Sequence, residues 1–345
     1  MMRSLCAHMQ CRAPSCAAFL GPGRSAQSAV RSSSVVVRGS ASMALYYHSL
    51  YTGGIDPAAR FPRDRYDLVR EELHRRGATS CAIELRTPCL ADRAAAITAH
   101  DAGYVDRFLA GTLGEGEQRR IGLKPWTPYI VDRTLALVGG SLAAMEEALA
   151  TRGVAGNMAG GTHHAAYGHG AGYCIFNDIA ICARSALSRG SARRIAVIDL
   201  DVHQGDGTAA IFAGESQVFT ASVHGATNFP FRKAISDLDI ALPKGAGDDA
   251  YLLACQEAVH QALETRPDLV LFQAGVDALA EDALGHLEVT RQGMRRRNDL
   301  VLSSTRGLPL VVFMGGGYSK PISHTVEAFA DLFVAASEEH VARLA

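Results

Sequence analysis

The sequence predicts an α/β protein, with a single domain over residues 43–345 built on a mostly parallel central β-sheet with helices on both faces. Three observations lead there. Strand-like apolar runs alternate with helix-like segments along this stretch. The runs are near-continuous in Val, Ile and Leu, the pattern of strands buried on both faces. Several of them end directly in polar, Gly-rich sequence, and ligands bind beyond the carboxyl ends of strands in open parallel sheets.

The elements follow in order. A first strand-like stretch begins around Leu45-Tyr46-Tyr47-His48, a helix is expected over Arg65–Arg75 and a strand over Ser80–Leu85. A long helix, Pro128–Ala150, precedes the strand Gly153–Met158. The helix Asp178–Ser188 precedes the strand Arg194–Leu200, whose Ile195-Ala196-Val197-Ile198 run is wholly apolar. The strand Gln217–Val223 is followed by the helix Asp249–Glu264. The strands Leu269–Ala274 and Leu310–Met314 flank the helix Thr290–Ser304, and His324–Ala335 is the last helix. No linker, low-complexity run or repeat interrupts this order.

Composition bounds the class. With 345 residues, 48% hydrophobic and 20% charged, the chain reads as a globular protein able to bury a large core without disulfides. A formal net charge of -1 leaves no global basic field for nucleic acid, so no direct nucleic-acid binding is expected. No apolar run approaches the ~20 residues that span a bilayer. Eight cysteines form no Cys-x-x-Cys pair and read as reduced, mostly buried thiols.

Residues 1–42 differ from the rest. They hold five Arg and nine Ser, and no acidic residue precedes Asp56. Arg-rich, Ser-rich, acid-poor leaders have the composition of organelle transit peptides, so import into chloroplast or mitochondrion is expected. The plainer reading is a disordered leader, or a true start at Met43, which would leave the protein in the cytoplasm or nucleus.

The sharpest local motif is Asp199-Leu200-Asp201-Val202-His203-Gln204-Gly205-Asp206-Gly207. Positions two apart on a strand point the same way, so Asp199, Asp201 and His203 can share one side. Two carboxylates and an imidazole beside a core are costly unless a cation holds them. Zinc takes such ligands, and Asp277, at the end of another buried strand, is a candidate third. A hydrogen-bonded carboxylate network is the bland alternative. Next, Gly160-Gly161-Thr162-His163-His164-Ala165 sets two imidazoles side by side on a Gly-rich turn, which suits proton handling. Finally, Gly315-Gly316-Gly317-Tyr318 lets backbone approach a ligand and ends in a phenol that can donate to a developing oxyanion. It lacks the spacing of a dinucleotide or phosphate loop.

Together with Gly172–Asp178 and Gly275–Leu279 followed by Gly285, these motifs resemble, in chain order, the histone deacetylase family and its arginase–deacetylase fold. Gly317-Tyr318-Ser319-Lys320 and the stretch around Asn228-Phe229-Pro230 look closest to the class IV and bacterial-type branches. The resemblance implies one zinc per chain on Asp201, His203 and Asp277. It implies catalytic His163 and His164, with Asp199 and Asp206 as their carboxylate partners and Tyr318 polarising the amide carbonyl. Gly172, Tyr173, Phe229 and Gly316 would line the substrate channel, and Asp199 with Ser222 would hold a structural potassium ion. Where class I members carry a rim Asp, Trp126 is placed here.

The implied function is zinc-dependent hydrolysis of N-acyl-lysine amides, with acylated proteins or peptides as partners. An amidohydrolase of acetylpolyamines or other acylated small amines is the rival on the same fold. A catalytically silent interaction module is the rival from another class, and the completeness of the residue set opposes it.

Overall fold

The computed structural model describes residues 42–344. The expected leader therefore lies outside the described residues, apart from Ser42. Among the described residues eight strands run in chain order: β1 (Met43–Tyr46), β2 (Ile83–Arg86), β3 (Val154–Asn157), β4 (Ile195–Asp199), β5 (Val218–Gly225), β6 (Leu238–Leu242), β7 (Leu269–Gln273) and β8 (Leu310–Phe313). The helices are α1 (Arg65–Arg75), α2 (Arg93–Ala96), α3 (Ala102–Leu109), α4 (Glu115–Ile121), α5 (Pro128–Thr151), α6 (Asp178–Ser188), α7 (Asp206–Ile211), α8 (Asp248–Glu264), α9 (Arg291–Ser304) and α10 (Ser323–Leu344).

All eight strands form one sheet in the order β2-β1-β3-β8-β7-β4-β5-β6, and every pairing is parallel. The central strands β4, β7 and β8 are buried at every position, which explains their lack of alternation. Helices cover both faces. On β3, a Cβ at Gly156 would lie 3.5 Å from Phe333 of α10. The next residue, Asn157, donates to Leu137 O and Ser141 Oγ of α5. Successive strand residues face opposite ways, so α5 and α10 lie on opposite sides.

Several boundaries differ from expectation. The β2 strand starts three residues later than expected, because Gly77 turns left-handed after α1 (φ 72) and Ala78–Ser80 form a 3-10 turn. The sequence reading missed β6, an edge strand with an exposed Asp239 and only one neighbour; charged edges of this kind discourage further pairing. It also stopped α10 nine residues short. The final turns bury Ser337, Glu339 and His340, and Glu339 pairs with Arg306 and Arg343, so apolar periodicity is lost while the helix continues.

Candidate active site

The site sits at the carboxyl edge of the sheet, around the order β8-β7-β4-β5. β4 ends at Asp199, opposite Gln273 of β7 and Ser222 of β5. Asp201 and His203 are therefore not on the strand. The loop 200–205 carries them, and hydrogen bonds set its shape: Asp199 Oδ1 accepts from Asp201 N (3.2 Å), and Asp201 Oδ1 accepts from His203 N (3.0 Å).

This loop meets the segment beyond β7. His203 Nδ1 lies 3.0 Å from Asp201 Oδ1 and 3.1 Å from Asp277 Oδ2. One ligand atom from each of Asp201, His203 and Asp277 lies within 4.8 Å of the others, and all three residues are buried. The remaining carboxylate oxygens are held from behind. Asp201 Oδ2 accepts from Gln273 Nε2 (2.9 Å) and Gly316 N (2.8 Å), and Asp277 Oδ1 accepts from Val202 N (2.9 Å). Nothing larger than glycine fits at 316, where a Cβ would lie 2.0 Å from Asp277 Oδ2.

The donor set fits a divalent metal. Asp201 and Asp277 are 1% and 0% exposed, and two carboxylates at this depth need a cation between them. Burial and the neighbouring Asp201 push the Asp277 carboxyl up to about 7. On His203, burial opposes charge, but Asp201 and Asp277 outweigh it and raise the imidazole to about 10. Both shifts follow from two carboxylates crowded beside an imidazole in one buried place. Two oxygens and one nitrogen with further room beside them are the pattern of a catalytic zinc site.

The paired histidines stack beside this set with ring centroids 4.1 Å apart. His163 Nδ1 meets Asp199 Oδ2 at 2.7 Å, and His164 Nδ1 meets Asp206 Oδ1 at 2.6 Å. Each carboxylate fixes its imidazole with Nδ1 protonated, leaving Nε2 for chemistry. The two rings then diverge. Burial disfavours charge on His163, but Asp199 and Asp201 overcome it and raise the ring to about 9. Burial, reinforced by the charge on His163, lowers His164 to about 4 despite Asp206. The neighbouring rings are thus pushed in opposite directions.

Tyr318 lines the same cavity as His163, His164, Asp201 and His203. Asp282 Oδ2 accepts its backbone N–H at 2.6 Å, and burial pushes the phenol well above its ordinary range. The hydroxyl is therefore a donor. Gly172, Tyr173 and Phe229 wall the outer space of about 420 Å³ that leads to His164 and Tyr318. Phe229 stands edge-on to His164 at 4.8 Å. Tyr173 adopts φ 67, an uncommon backbone for a residue with a side chain, and it turns the ring toward Tyr318 (6.1 Å).

Three sequence expectations need correction or narrowing. Gly316 lines the inner cavity, under the ligand carboxylates, rather than the outer space. Trp126 packs edge-on against Phe108 at 6.1 Å and lines outer grooves rather than the channel mouth. The mouth carries Arg60 and Arg120 instead. Asp199 and Ser222 are neighbours in register, but the Ser222 hydroxyl is engaged with His224 Nδ1 (3.0 Å). Sequence reasoning also passed over Gln273, Asp282, Arg65 and Arg133. Arg133 stands on the buried face of α5 with Ile130, Thr134 and Leu137, and a charge on such a face was the available signal.

Fold, buried acidic–imidazole set and paired histidines together define a hydrolase domain of the deacetylase and amidohydrolase class. Residues 59–333 match the family model of the histone deacetylase domain, and the chain belongs to the histone deacetylase family. It is 44% identical over 283 residues to an uncharacterized protein of Picosynechococcus sp., covering 81% of this chain and 93% of that one. It is 31% identical over 263 residues to a histone deacetylase-like amidohydrolase of Pseudomonas aeruginosa, covering 69% and 67%. Histone deacetylase 2 of Arabidopsis thaliana is 34% identical over 196 residues, which is 55% of this chain and 50% of that protein. The crystal structure of the HDA15 HD domain shares the fold, with a TM-score of 0.72 at 21% identity over 86% of this chain and 87% of that one.

Proposed function

We propose that the chain hydrolyses the amide bond of N-acyl-lysine in proteins or peptides, with one zinc ion held by Asp201, His203 and Asp277. The observation that carries this reading is the pair of imidazole–carboxylate dyads stacked against a buried set of three ligands. When bound, zinc supplies a Lewis acid for the acyl carbonyl and activates water. The chain's own groups do the rest. His164, uncharged at neutral pH, takes the proton of the attacking water. His163, charged, faces the developing negative charge and gives a proton to the departing amine. Two neighbouring titratable groups pushed apart in this way divide base from acid. The Tyr318 hydroxyl donates to the carbonyl oxygen as charge builds on it.

The channel mouth bears on the substrate. Its described lining includes Arg60 and Arg120 and no carboxylate, an unfavourable approach for a polycationic amine. A peptide substrate is favoured over an acetylpolyamine on that ground. The test is turnover of acetyl-peptide, longer acyl-peptide and acetylpolyamine by the zinc-loaded protein. Peptide hydrolysis should exceed polyamine hydrolysis; the reverse order would make the small-amine reading correct.

The proposal extends to a monovalent cation beside Asp199 and Ser222. It also extends to organelle import, which rests on the composition of residues 1–42, with cytoplasm or nucleus as the alternative. Determining the mature N-terminus separates these.

A further inference from the structure

The cavity that holds the reacting groups is small, about 50 Å³, and reaches inward past them. Two guanidinium groups, Arg65 and Arg133, line it together with Tyr66, Phe61 and Leu137. Both arginines are deeply buried, at 4% and 3% exposure. Neither has a carboxylate partner among the described residues. Arg65 Nη1 donates to Gly317 O (3.1 Å), Arg133 Nε donates to Tyr51 O (2.9 Å), and an Nη2 of each reaches Tyr66 Oη at 3.3 Å. Arg65 Nε is buried and makes no hydrogen bond in this structure. The rings of Phe61 and Tyr66 lie 5.0 Å from the Arg65 guanidinium, which relieves only part of the cost.

Buried cations without counter-ions are expensive, and arginine does not escape the expense by losing its proton. Burial works against ionisation of the Tyr66 phenol, but the two guanidinium groups outweigh it and lower its pKa. Even an ionised phenol would balance one charge of the two. Asp201 lines the same space, but its carboxylate oxygens are held by Gln273, the Gly316 N–H and His203, so the two guanidinium groups are left for a bound anion to complete. Its size admits about four waters, which excludes a long fatty chain.

The location decides what that anion belongs to. His164, His203, Gly172, Tyr173 and Tyr318 border both this inner space and the outer channel. A carbonyl held at Tyr318 and His164 has its lysine stem on the outer side and its acyl chain on the inner side. We propose that this site removes acyl chains that end in a carboxylate, the class of malonyl- and succinyl-lysine, with Arg65 and Arg133 seating the distal carboxylate. The inference rests on the reading that the site hydrolyses acyl-lysine. The chemistry is simple hydrolysis. Water oxygen bonds to the acyl carbon as His164 takes a water proton, the C–N bond breaks as His163 protonates the lysine amine, and a dicarboxylate leaves with no redox change; His164 then releases its proton and His163 regains one, through solvent. Arg133, from a helix that contributes no reacting group, is the specificity-determining residue.

The experiment compares kcat/KM of the zinc-loaded full chain on one peptide carrying succinyl-, butyryl- or acetyl-lysine. Succinyl should exceed butyryl, which lacks only the distal charge, by about tenfold or more, since a buried polar site discriminates against a ligand that leaves it unpaired. In Arg133→Met the succinyl-to-butyryl ratio should fall by about tenfold, and Arg133→Lys should restore part of it. A purely structural role for Arg133 would lower all three rates and leave the ratio alone. The wild-type ratio stands as a test even if both variants fail to fold. Butyryl turned over as fast as succinyl by the wild type would overturn the inference while leaving the acyl-lysine reading intact. No turnover of any acyl peptide would sink that reading first and this one with it.

Discussion

A phenol hydroxyl facing a reacting carbonyl matters most once charge develops on the oxygen, so removing it should cost turnover and spare the ground state. Tyr318→Phe is expected to lower kcat by about a hundredfold or more, with metal content unchanged. Steady-state kinetics beside metal analysis check this; full activity with Phe at 318 would exclude the assigned role. The two imidazoles set the pH dependence. His164 acts as a base only when unprotonated, so activity should fall as pH drops toward its lowered value of about 4. His163 acts as an acid only when protonated, so activity should fall as pH rises through about 9. A bell-shaped kcat/KM profile is expected, and His163→Ala should remove its alkaline limb. At this scale the polar residues at strand ends were legible, because charges beside apolar runs stand out. Arg65 and Arg133 were passed over: a charge on an apolar helix face marks a buried cation, but it does not say which space that cation faces.

Between residue and fold, loops and helix contacts set the site's shape. Gly172 has φ 52, and a Cβ there would lie 2.6 Å from His164 Cδ2 and 3.0 Å from Phe229 Cε1. Gly172→Ala should displace His164 or narrow the channel, lowering kcat/KM about tenfold or more, and should also lower the melting temperature because alanine is strained at this φ. A kinetic comparison with a thermal melt checks both halves. Helix contacts also build a clamp far from the site. Asp331 of α10 is held by Arg76, just past α1, at 2.7 Å, and by Arg291 and Arg295 of α9 at 2.6 and 2.8 Å. Burial raises the Asp331 carboxyl, but the three guanidinium groups outweigh it and hold it well below the usual carboxylate range. A depressed folded-state pKa stabilises above the unfolded value of about 4 and loses that effect as pH falls toward the folded value. Asp331→Ala should therefore cost about 2 kcal/mol near neutral pH, discounted for the exposure of the arginines, and progressively less in acid. Denaturant melts at two pH values check the trend. The long helices and central strands were legible from unbroken apolar runs. The short helices α2, α4 and α7 were not, since each is too short or too polar to show a period; α3 and β6 do carry one, in Tyr104, Val105 and Phe108 and in Leu238, Ile240 and Leu242, but over too few residues to stand out.

Across the whole molecule, one parallel sheet brings together groups that are distant in sequence. Register aligns Asp199 with Gln273, and the segments beyond β4, β7 and β8 then meet as Asp201, His203, Asp277 and Gly316. The strand ends were readable in advance, but the strand order that makes β7 and β4 neighbours was not, because residue patterns along one strand do not name its partner. The convergence has a chemical consequence. With His203 raised to about 10 and Asp277 pushed up to about 7, a divalent ion must displace protons to bind, so zinc affinity should rise with pH across the neutral range. The most direct test of the account is the metal content of the purified full chain beside its Asp277→Asn variant after equilibration with zinc. About one zinc per chain in the wild type and a large loss in the variant are expected. A wild type that takes up no zinc, or a variant that keeps all of it, would contradict the site described here.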